Sequence, residues 1–291
     1  MHIGKIDTLK ELNQRMLDDD LNGFWHVPEE IYHSCNAIGH SLLLKYQNSP
    51  ASYLAASQKK FEATPDMVIG KLVHALMLEG EDAYKSRCVV PPEINKRTKA
   101  GREEWAQWVE HHKDRIVIDE SADKKIREIV AAISPKLIAK NMLSNGHAEL
   151  SCFARVYESD LWIRVRPDYY LPDLNVVVDL KTTKCSNAEE FERDIFRYNY
   201  DMQAAFYMDT IKTATEFEVK GYYCLGVEKQ IPFDAYPFRM DGEVLDLGRA
   251  KYAHYVRQHM DCIKANNWPG SDGEIRHAHA PHWELKKWGM L

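Results

Sequence analysis

The chain has 291 residues, of which 45% are hydrophobic and 28% are charged, as is usual for a folded globular protein. Its formal net charge of −6 argues against indiscriminate binding to polyanions, so contact with nucleic acid requires a local concentration of basic residues. The 6 cysteines are scattered, which excludes the clustered thiolates of an iron–sulfur site and fits a reduced compartment. Because no apolar run could cross a membrane and residues 1–20 lack the apolar core of a signal peptide, we expect a cytoplasmic protein.

The first half of the sequence has the periodicity of helices. Helices are predicted over residues 8–17, 38–46, 50–56, 67–78, 103–113 and 121–142. The helix at 67–78 begins after Pro65 and carries His74, and the last helix is expected to kink or split at Pro135. Residues 91–101 form a polar, basic loop.

The second half changes to the alternation of strands. Strands are predicted over residues 149–157, 161–168, 175–182, 221–227 and 232–238, with a turn at 158–160 and helices over 187–196, 201–214 and 242–265. Residues 268–291 have no clear period. Mixed strands and helices without a linker favour an α/β fold, with a central mixed sheet flanked by helices. We divide the chain into an N-terminal helical arm, residues 1–25, and a single domain, residues 26–291.

The strand from Val176 to Thr183 is the most informative segment. Its three consecutive valines predict burial. Strand side chains alternate, so Asp179 and Lys181 share one face. Their neighbours Val178 and Leu180 point into packing. Charges in such a place are costly unless they are paired or do chemistry, and a plain salt bridge is the alternative interpretation.

A second acid follows a neighbouring strand. The alternation of residues 162–168 puts Arg164, Arg166 and Asp168 on one face, and Pro167 ends the strand just before Asp168. A turn aspartate is the simpler interpretation. Two neighbouring strands would nevertheless bring Asp168 to Asp179 and Lys181, and two acids with one lysine suffice for metal-dependent phosphodiester hydrolysis.

The pattern Pro167-Asp168, a spacer, then Asp179-Leu180-Lys181 resembles the PD-(D/E)XK nuclease signature. An ordered set of further segments resembles the nuclease domain of RecE-type exonucleases (exonuclease VIII). These segments are residues 49–53, 70–74, 92–101, 146–149, 164–168, 178–183 and 200–207. The resemblance extends from about Tyr32 to Trp283. It implies a PD-(D/E)XK nuclease-like fold for residues 26–291.

The resemblance also implies roles for the acidic residues. Asp168 and Asp179 would bind Mg²⁺, or alternatively Mn²⁺, with two ions per site, and the Leu180 carbonyl would add an oxygen ligand. Lys181 would orient or help deprotonate the attacking water and offset charge on the phosphate. Glu149 becomes a further catalytic or metal-site carboxylate.

Two helices would contribute to the same site. His74, on an apolar helix face, could be an ordinary core residue, but the family places a histidine of this helix near the metals, so we expect a ligand. Glu79 lies five residues later and is expected to be structural. Gln203 and Tyr207 share a helix face. Gln203 would support Lys181 or water, and Tyr207 or Tyr198 would touch DNA.

Basic residues provide candidate contacts to DNA phosphates. The predicted contacts are Arg97, Lys99 and Arg102 in the basic loop, with Arg164 and Arg166 beside the proposed site. A solvated surface loop is the alternative for the first three. The family pattern has a basic residue after Pro-Asp where this chain has Tyr169, which weakens one expected phosphate contact.

We therefore predict a 5′-to-3′ exonuclease on linear double-stranded DNA. The resemblance implies 3′ single-stranded tails for recombination by annealing, a ring-shaped homo-oligomer such as a tetramer, and a RecT-type annealing protein as partner. Two alternatives remain: an endonuclease of the same superfamily, and a catalytically inactive DNA-binding recombination scaffold. Comparing the digestion of linear and closed-circular DNA distinguishes the exonuclease from the endonuclease. Metal-dependent release of nucleotides excludes the inactive scaffold.

Overall fold

The computed structural model describes residues 1–59, 64–138, 140–143, 145–156 and 159–290. The strands in these ranges are β1 (Ile3–Lys5), β2 (Gly23–His26), β3 (Ile38–Gly39), β4 (Cys88–Val89), β5 (Ile116–Val117), β6 (His147–Ala148), β7 (Ser151–Arg155), β8 (Trp162–Val165), β9 (Tyr169–Leu171), β10 (Val176–Thr183), β11 (Gly221–Glu228) and β12 (Ala235–Met240). The helices are α1 (Leu9–Leu17), α2 (Glu29–Ser34), α3 (His40–Leu43), α4 (Pro50–Gln58), α5 (Pro65–His74), α6 (Glu81–Arg87), α7 (Lys99–His111), α8 (Glu120–Ile138), α9 (Ala188–Arg197), α10 (Tyr200–Thr215), α11 (Gly242–Ala265) and α12 (His282–Lys287).

Within the described ranges, two five-stranded sheets form the frame of the molecule. The strand order is β1-β2-β7-β8-β3 in the first sheet and β12-β11-β10-β9-β6 in the second. In the second sheet β10 runs parallel to β11 and antiparallel to β9, so the sheet is mixed. The predicted α/β fold, with a mixed sheet between helices, is confirmed. It differs from the expectation in that the sheet is divided in two.

Strand β10 is buried on both faces, as its run of valines predicts. Val177 packs into a cluster that includes Met202 of α10 and Leu245 of α11. Val178 and Leu180 pack on the other face, in a cluster with residues of α5 and α8. Because alternate side chains point to opposite faces, Asp179 and Lys181 lie on the face covered by α10.

A bent hairpin joins the two sheets. The strands predicted over 149–157 and 161–168 correspond to β7 and β8, which pair in the first sheet, and a break separates them from β6 and β9, which pair in the second. The breaks fall at Glu149, which has a positive φ of 52°, and at Pro167, which has no N–H to donate to a ladder. The Glu149 N–H donates to the Asp168 carbonyl at 3.1 Å, so the two breaks lie side by side at a seam between the sheets.

The first residues of the chain form more than a helix. The predicted helix is confirmed as α1, and the Thr8 hydroxyl caps it by accepting the Glu11 N–H at 3.1 Å. On either side of α1, β1 and β2 pair in parallel, and β2 continues the sheet to β7. Residues 1–25 therefore contribute two strands and a small apolar cluster around Leu12 and Trp25 to the first sheet.

Several local expectations differ from the structure. Pro135 lies inside α8, which continues to Ile138 instead of splitting. The helix predicted over 38–46 is strand β3, then α3 and a 3₁₀ turn (Leu44–Gln47), while β6 and β9 are too short to have been recognised from alternation. Residues 139, 157 and 158, inside predicted elements, lie outside the described residues. None of the helices in the described ranges is both long and apolar enough to span a membrane.

Candidate active site

One half of the candidate site is built on β10. The Asp179 side chain, 1% exposed, contacts the Lys181 ammonium through Oδ2. Its other oxygen, Oδ1, accepts a hydrogen bond of 2.9 Å from the Gln203 amide on α10. The Lys181 Nζ also lies 5.1 Å from the centre of the Tyr200 ring. The structure thus brings Asp179, Lys181 and Gln203 together, and Gln203 supports the aspartate and not the lysine.

Asp168 links β10 to the seam between the sheets. The Leu180 N–H donates to Asp168 Oδ2 at 2.7 Å, so the carboxylate is held directly against the strand that carries Asp179. Asp168 Oδ1 lies 3.6 Å from Nδ1 of His74. Pro167 makes this possible because it ends β8 and lets the following residue turn toward β10.

Helix α5 brings His74 to the same place. A β-carbon at Gly70 would lie 3.0 Å from the Thr182 hydroxyl oxygen, so the missing side chain allows α5 to approach β10 closely. His74 lies at the end of α5, close enough to the backbone of Leu180 that this backbone acts to raise the pKa of the imidazole. The predicted carbonyl ligand and the predicted imidazole ligand therefore lie next to each other.

A three-residue group at the seam has the spacing of a metal site. Single ligand atoms of His74, Glu149 and Asp168 all lie within 4.8 Å of one another. Glu149 reaches the group from a left-handed backbone conformation, which is costly for a residue with a β-carbon. Such strain is often found where a side chain is held for function.

Burial and mutual repulsion perturb the protonation of these acids. Burial, followed by the Asp168 carboxylate, raises the pKa of Glu149 to about 8. Burial also raises the pKa of Asp168, and the Lys181 ammonium opposes this rise. Burial lowers the pKa of His74 to about 4, helped by the charge of Lys181, so the imidazole is neutral and free to act as a ligand.

The pKa values of Asp179 and Lys181 depend on burial and on the contact between the two side chains. Burial raises the pKa of Asp179 while the contact with Lys181 lowers it, and the net direction is upward. Burial alone would lower the pKa of Lys181, but Asp179 and then Asp168 raise it above the ordinary lysine value. Lys181 therefore carries its proton at neutral pH.

The donor set fits a divalent cation. Carboxylate and carbonyl oxygens are the ligands of Mg²⁺, and one imidazole is compatible with Mn²⁺. A cation among His74, Glu149 and Asp168 would offset the cost of burying the two carboxylates and, for Glu149, the repulsion from Asp168. Asp179 Oδ2 is buried and contacts the Lys181 ammonium, and its second lone pair could accept a contact from a cation.

Glu79 lies nearer to this group than its sequence position suggests. We expected a structural residue because five positions in an α-helix point to different faces, but residues 75–79 form a π-helix, whose hydrogen bonds link residues five apart. Glu79 consequently acts electrostatically on both His74 and Glu149. Its carboxylate is paired in a bidentate manner with Arg87, at 2.5 and 2.7 Å. The sequence pattern predicts a continuous α-helix here, so it did not reveal the π-helical turn that brings Glu79 near the site.

The predicted DNA contacts divide into two groups. Arg164 is 8% exposed and donates to the main-chain carbonyl of Cys35 at 2.9 Å, and Arg166 donates to the Val27 carbonyl at 2.7 Å. In this conformation both guanidinium groups are held by main-chain carbonyls of the chain itself. Their predicted contact with a phosphate stays a prediction, and it would require the guanidinium groups to leave these acceptors or to use their remaining N–H groups.

The basic loop is instead exposed, as predicted. Arg97, Lys99 and Arg102 are all exposed at the start of α7. Arg102 donates to the Arg97 carbonyl at 3.2 Å. This hydrogen bond holds the loop together, and because the acceptor is neutral the Arg102 charge is not paired by it. Of the tyrosines, Tyr198 is 47% exposed, whereas Tyr207 packs edge-on against Tyr222 and is half-buried.

Comparisons with known proteins address the fold. A "putative exonuclease" from Eubacterium rectale has a TM-score of 0.59 at 12% identity, over 91% of this chain and 99% of that chain. A phage related exonuclease from Haemophilus somnus 129PT has a TM-score of 0.33 at 13% identity, over 67% of this chain and 95% of that chain. At these identities the first likeness supports the fold alone, and the second is too low to support an argument. No curated protein matches the sequence.

The family comparison covers most of the sequence. Residues 39–281 match the family described as a PDDEXK-like domain of unknown function (DUF3799). This range contains every residue of the candidate site. The resemblance to the PD-(D/E)XK superfamily is therefore confirmed, and the chain belongs to the PDDEXK-like domain family (DUF3799).

Proposed function

We propose that the chain is a divalent-metal-dependent exonuclease that digests linear double-stranded DNA in the 5′-to-3′ direction. The observation that carries this proposal is the convergence of His74, Glu149 and Asp168, whose ligand atoms lie within 4.8 Å of one another, next to Asp179 and Lys181. Acidic ligands beside a lysine meet the needs of phosphodiester hydrolysis, which requires an activated water and compensation for charge on the phosphate.

The side chains divide this work. Mg²⁺ or Mn²⁺, two ions in the form we propose, would supply an activated water and charge compensation, held by His74, Asp168, Asp179 and the Leu180 carbonyl. Gln203 fixes the orientation of Asp179 through its 2.9 Å hydrogen bond. Because its pKa is raised, Lys181 acts as a charged hydrogen-bond donor to water and phosphate and not as the base.

The finer features of the proposal rest on the resemblance to RecE-type exonucleases. They are the 5′-to-3′ polarity, the 3′ single-stranded tails, the tetrameric ring around DNA and the RecT-type annealing partner in a cytoplasmic recombination system. Arg97, Lys99, Arg102 and Tyr198 are the exposed members of the predicted DNA contacts, and they support a duplex-binding surface at the domain exterior.

Digestion of end-labelled DNA tests the proposal. Linear duplex labelled at either the 5′ or the 3′ end is incubated with the protein, with Mg²⁺ or with a chelator, beside a closed circle of the same sequence. We expect the 5′ label to be released first, in Mg²⁺ only, with the circle intact. Cutting of the circle would instead establish an endonuclease. No metal-dependent release from any substrate, by protein that still binds duplex, would establish the inactive scaffold.

A further inference from the structure

A pocket of about 770 Å³ adjoins the site beyond the end of β10. Its wall is formed by Thr182 and the residues that follow, by the start of α5 and by one side of α9. Its charged and aromatic lining includes Lys184, Arg193, Arg197, Tyr200 and Lys229. The volume lies within the range of about 300–1,000 Å³ that small-molecule sites occupy. Lys181, one residue before Thr182, lies 5.1 Å from the ring centre of Tyr200 in the pocket wall and so connects the pocket with the candidate active site.

Two cations at the edge of the pocket have no acidic partner. In the part of the chain that the structure describes, neither Arg193 nor Arg197 forms an ion pair with a carboxylate. The acids near them are occupied: Glu190 accepts the Ser186 N–H at 3.0 Å, and Asp194 accepts the Cys185 thiol at 3.2 Å. The pocket lining therefore carries four cations, Lys184, Arg193, Arg197 and Lys229, against three carboxylates, Asp66, Glu190 and Asp194, an excess of one positive charge.

Asp66 stands between the two lysines of the pocket. Its carboxylate lies 2.8 Å from the Lys184 ammonium and 3.5 Å from that of Lys229. The Lys229 side chain is 9% exposed, whereas the Asp66 side chain is 58% exposed. An exposed ion pair contributes little stability, so another anion can replace the carboxylate at small cost. Two ammonium groups around one exchangeable anion form a phosphate site.

Aromatic rings lie on the side of the pocket nearest the site. The ring centres of Tyr198 and Tyr200 are 5.8 Å apart, and the Tyr200 ring is 5.1 Å from Nζ of Lys181. Tyr198 is 47% exposed, with the Arg197 guanidinium 5.5 Å from its ring centre, so a nucleobase could reach this ring and guanidinium together. Phosphate-binding cations and a stacking surface thus occur within one cavity.

We propose that this pocket binds the terminal nucleotide of the DNA strand being cut, with its phosphate between Lys184 and Lys229 in the place that Asp66 occupies. The inference rests on the proposed nuclease function and adds a subsite to it. Asp66 acts as a stand-in for the phosphate, keeps the lysines in position and is displaced by the strand end. A pocket that takes one strand end would favour cutting from an end over cutting within a duplex.

Binding of deoxyadenosine 5′-monophosphate, measured by calorimetry in the presence of a chelator, tests this inference. The chelator removes any contribution of metal ions at His74 and Asp168. Removing the competing carboxylate with Asp66→Asn should raise the affinity by about fivefold. Arg197→Ala should lower it by a similar factor, and deoxyadenosine without phosphate should bind at least tenfold more weakly.

A matched variant controls for the general effect of removing an acid. Asp234 pairs with Lys136 at 2.9 Å on another surface, so Asp234→Asn makes the same chemical change away from the pocket. We expect that variant to bind like the wild type. Equal affinities in Asp66→Asn and Asp234→Asn, or an Arg197→Ala variant that binds as the wild type does, would overturn the inference.

The two proposals fail separately. Nucleotide binding is measured without metal and is repeated in an Asp179→Asn background, in which we expect it to be unchanged because Asp179 lies outside the pocket lining. A protein that binds the nucleotide in this way but never cuts DNA would sustain the pocket and overturn the nuclease. If the protein digests linear DNA but its pocket variants bind the nucleotide as tightly as the wild type does, the nuclease proposal is sustained and the pocket proposal is overturned.

Discussion

The two halves of the candidate site differ in how the charge of their buried acids is compensated. In the half on β10, Asp179 contacts the Lys181 ammonium and accepts a hydrogen bond from Gln203, so its charge is compensated by the chain itself. In the half at the seam, Glu149 and Asp168 lie near each other and beside a neutral imidazole. There burial, followed by repulsion from Asp168, raises the pKa of Glu149 to about 8.

This difference assigns different tasks to the two halves. The half on β10 is organised before any ligand arrives, which suits residues that must hold water and phosphate in a fixed geometry. The half at the seam carries a charge imbalance that a divalent cation would remove. A change of Lys181 in the first half should therefore affect turnover, whereas a change in the second half should affect metal affinity. Asp179, as a proposed metal ligand, should affect both.

The largest effect should come from the first half. Asp179→Asn keeps the shape of the side chain but removes a charged ligand, so the rate of DNA digestion in Mg²⁺ should fall by about 1,000-fold or more. Lys181→Ala should be similarly inactive yet still bind metal, because its role is on the water and phosphate. Digestion of labelled duplex and calorimetry with Mn²⁺ measure the two properties. Loss of metal binding in Lys181→Ala would mean that the two halves do not divide the work.

His74→Ala tests the second half. Removing one ligand should weaken Mn²⁺ binding by about tenfold or more, and high Mn²⁺ should partly restore digestion. Metal titrations of activity and of calorimetric heat provide the measurement. A variant with a lower melting temperature but unchanged metal affinity would show that His74 is an ordinary packing residue.

The pH dependence of stability sharpens the same comparison. The pKa of Glu149 is 4.5 in an unfolded chain and about 8 in the folded protein, so its contribution to stability is full below 4.5 and is lost as the pH rises toward 8. Metal-free protein should therefore melt at lower temperature at pH 8 than at pH 5. In Glu149→Gln this contribution is absent, so the decrease should be smaller. Added Mg²⁺ should raise the melting temperature most at the higher pH, because its ligands must be deprotonated. An identical pH profile in wild type and variant would contradict the assigned protonation.

The smallest effect is expected outside the site, in the basic loop. Replacing Arg97 and Lys99 with alanine should weaken duplex binding and reduce its log–log salt slope by about one unit for each lost phosphate contact. The maximal rate at low salt and saturating DNA should remain that of the wild type. Lys124→Ala with Lys125→Ala, on α8, is the matched control. An unchanged slope in the loop variant would mean that the loop only faces solvent.

Local sequence determined much of the fold. The valines of β10 predicted a buried strand with Asp179 and Lys181 on one face, and the structure has that arrangement. Helix α11 runs over the predicted residues 242–265, because its pattern is long and uninterrupted. The resemblance that rests on Asp168, Asp179 and Lys181 also pointed to the superfamily whose family model matches residues 39–281.

Only the tertiary structure decided how the charges are used. Arg164 and Arg97 look equally suitable as phosphate contacts in the sequence, but Arg164 binds main-chain carbonyls from residues far away in the chain and Arg97 faces solvent. Glu149 and Asp168 meet because the hairpin breaks at both positions, and the π-helical turn brings Glu79 within electrostatic range of His74. Periodicity reports which face of an element a residue occupies, whereas burial, pairing and pKa depend on contacts between segments distant in sequence. For that reason the sequence determined the chemical groups of the site, and the packing of the two sheets determined their protonation and their partners.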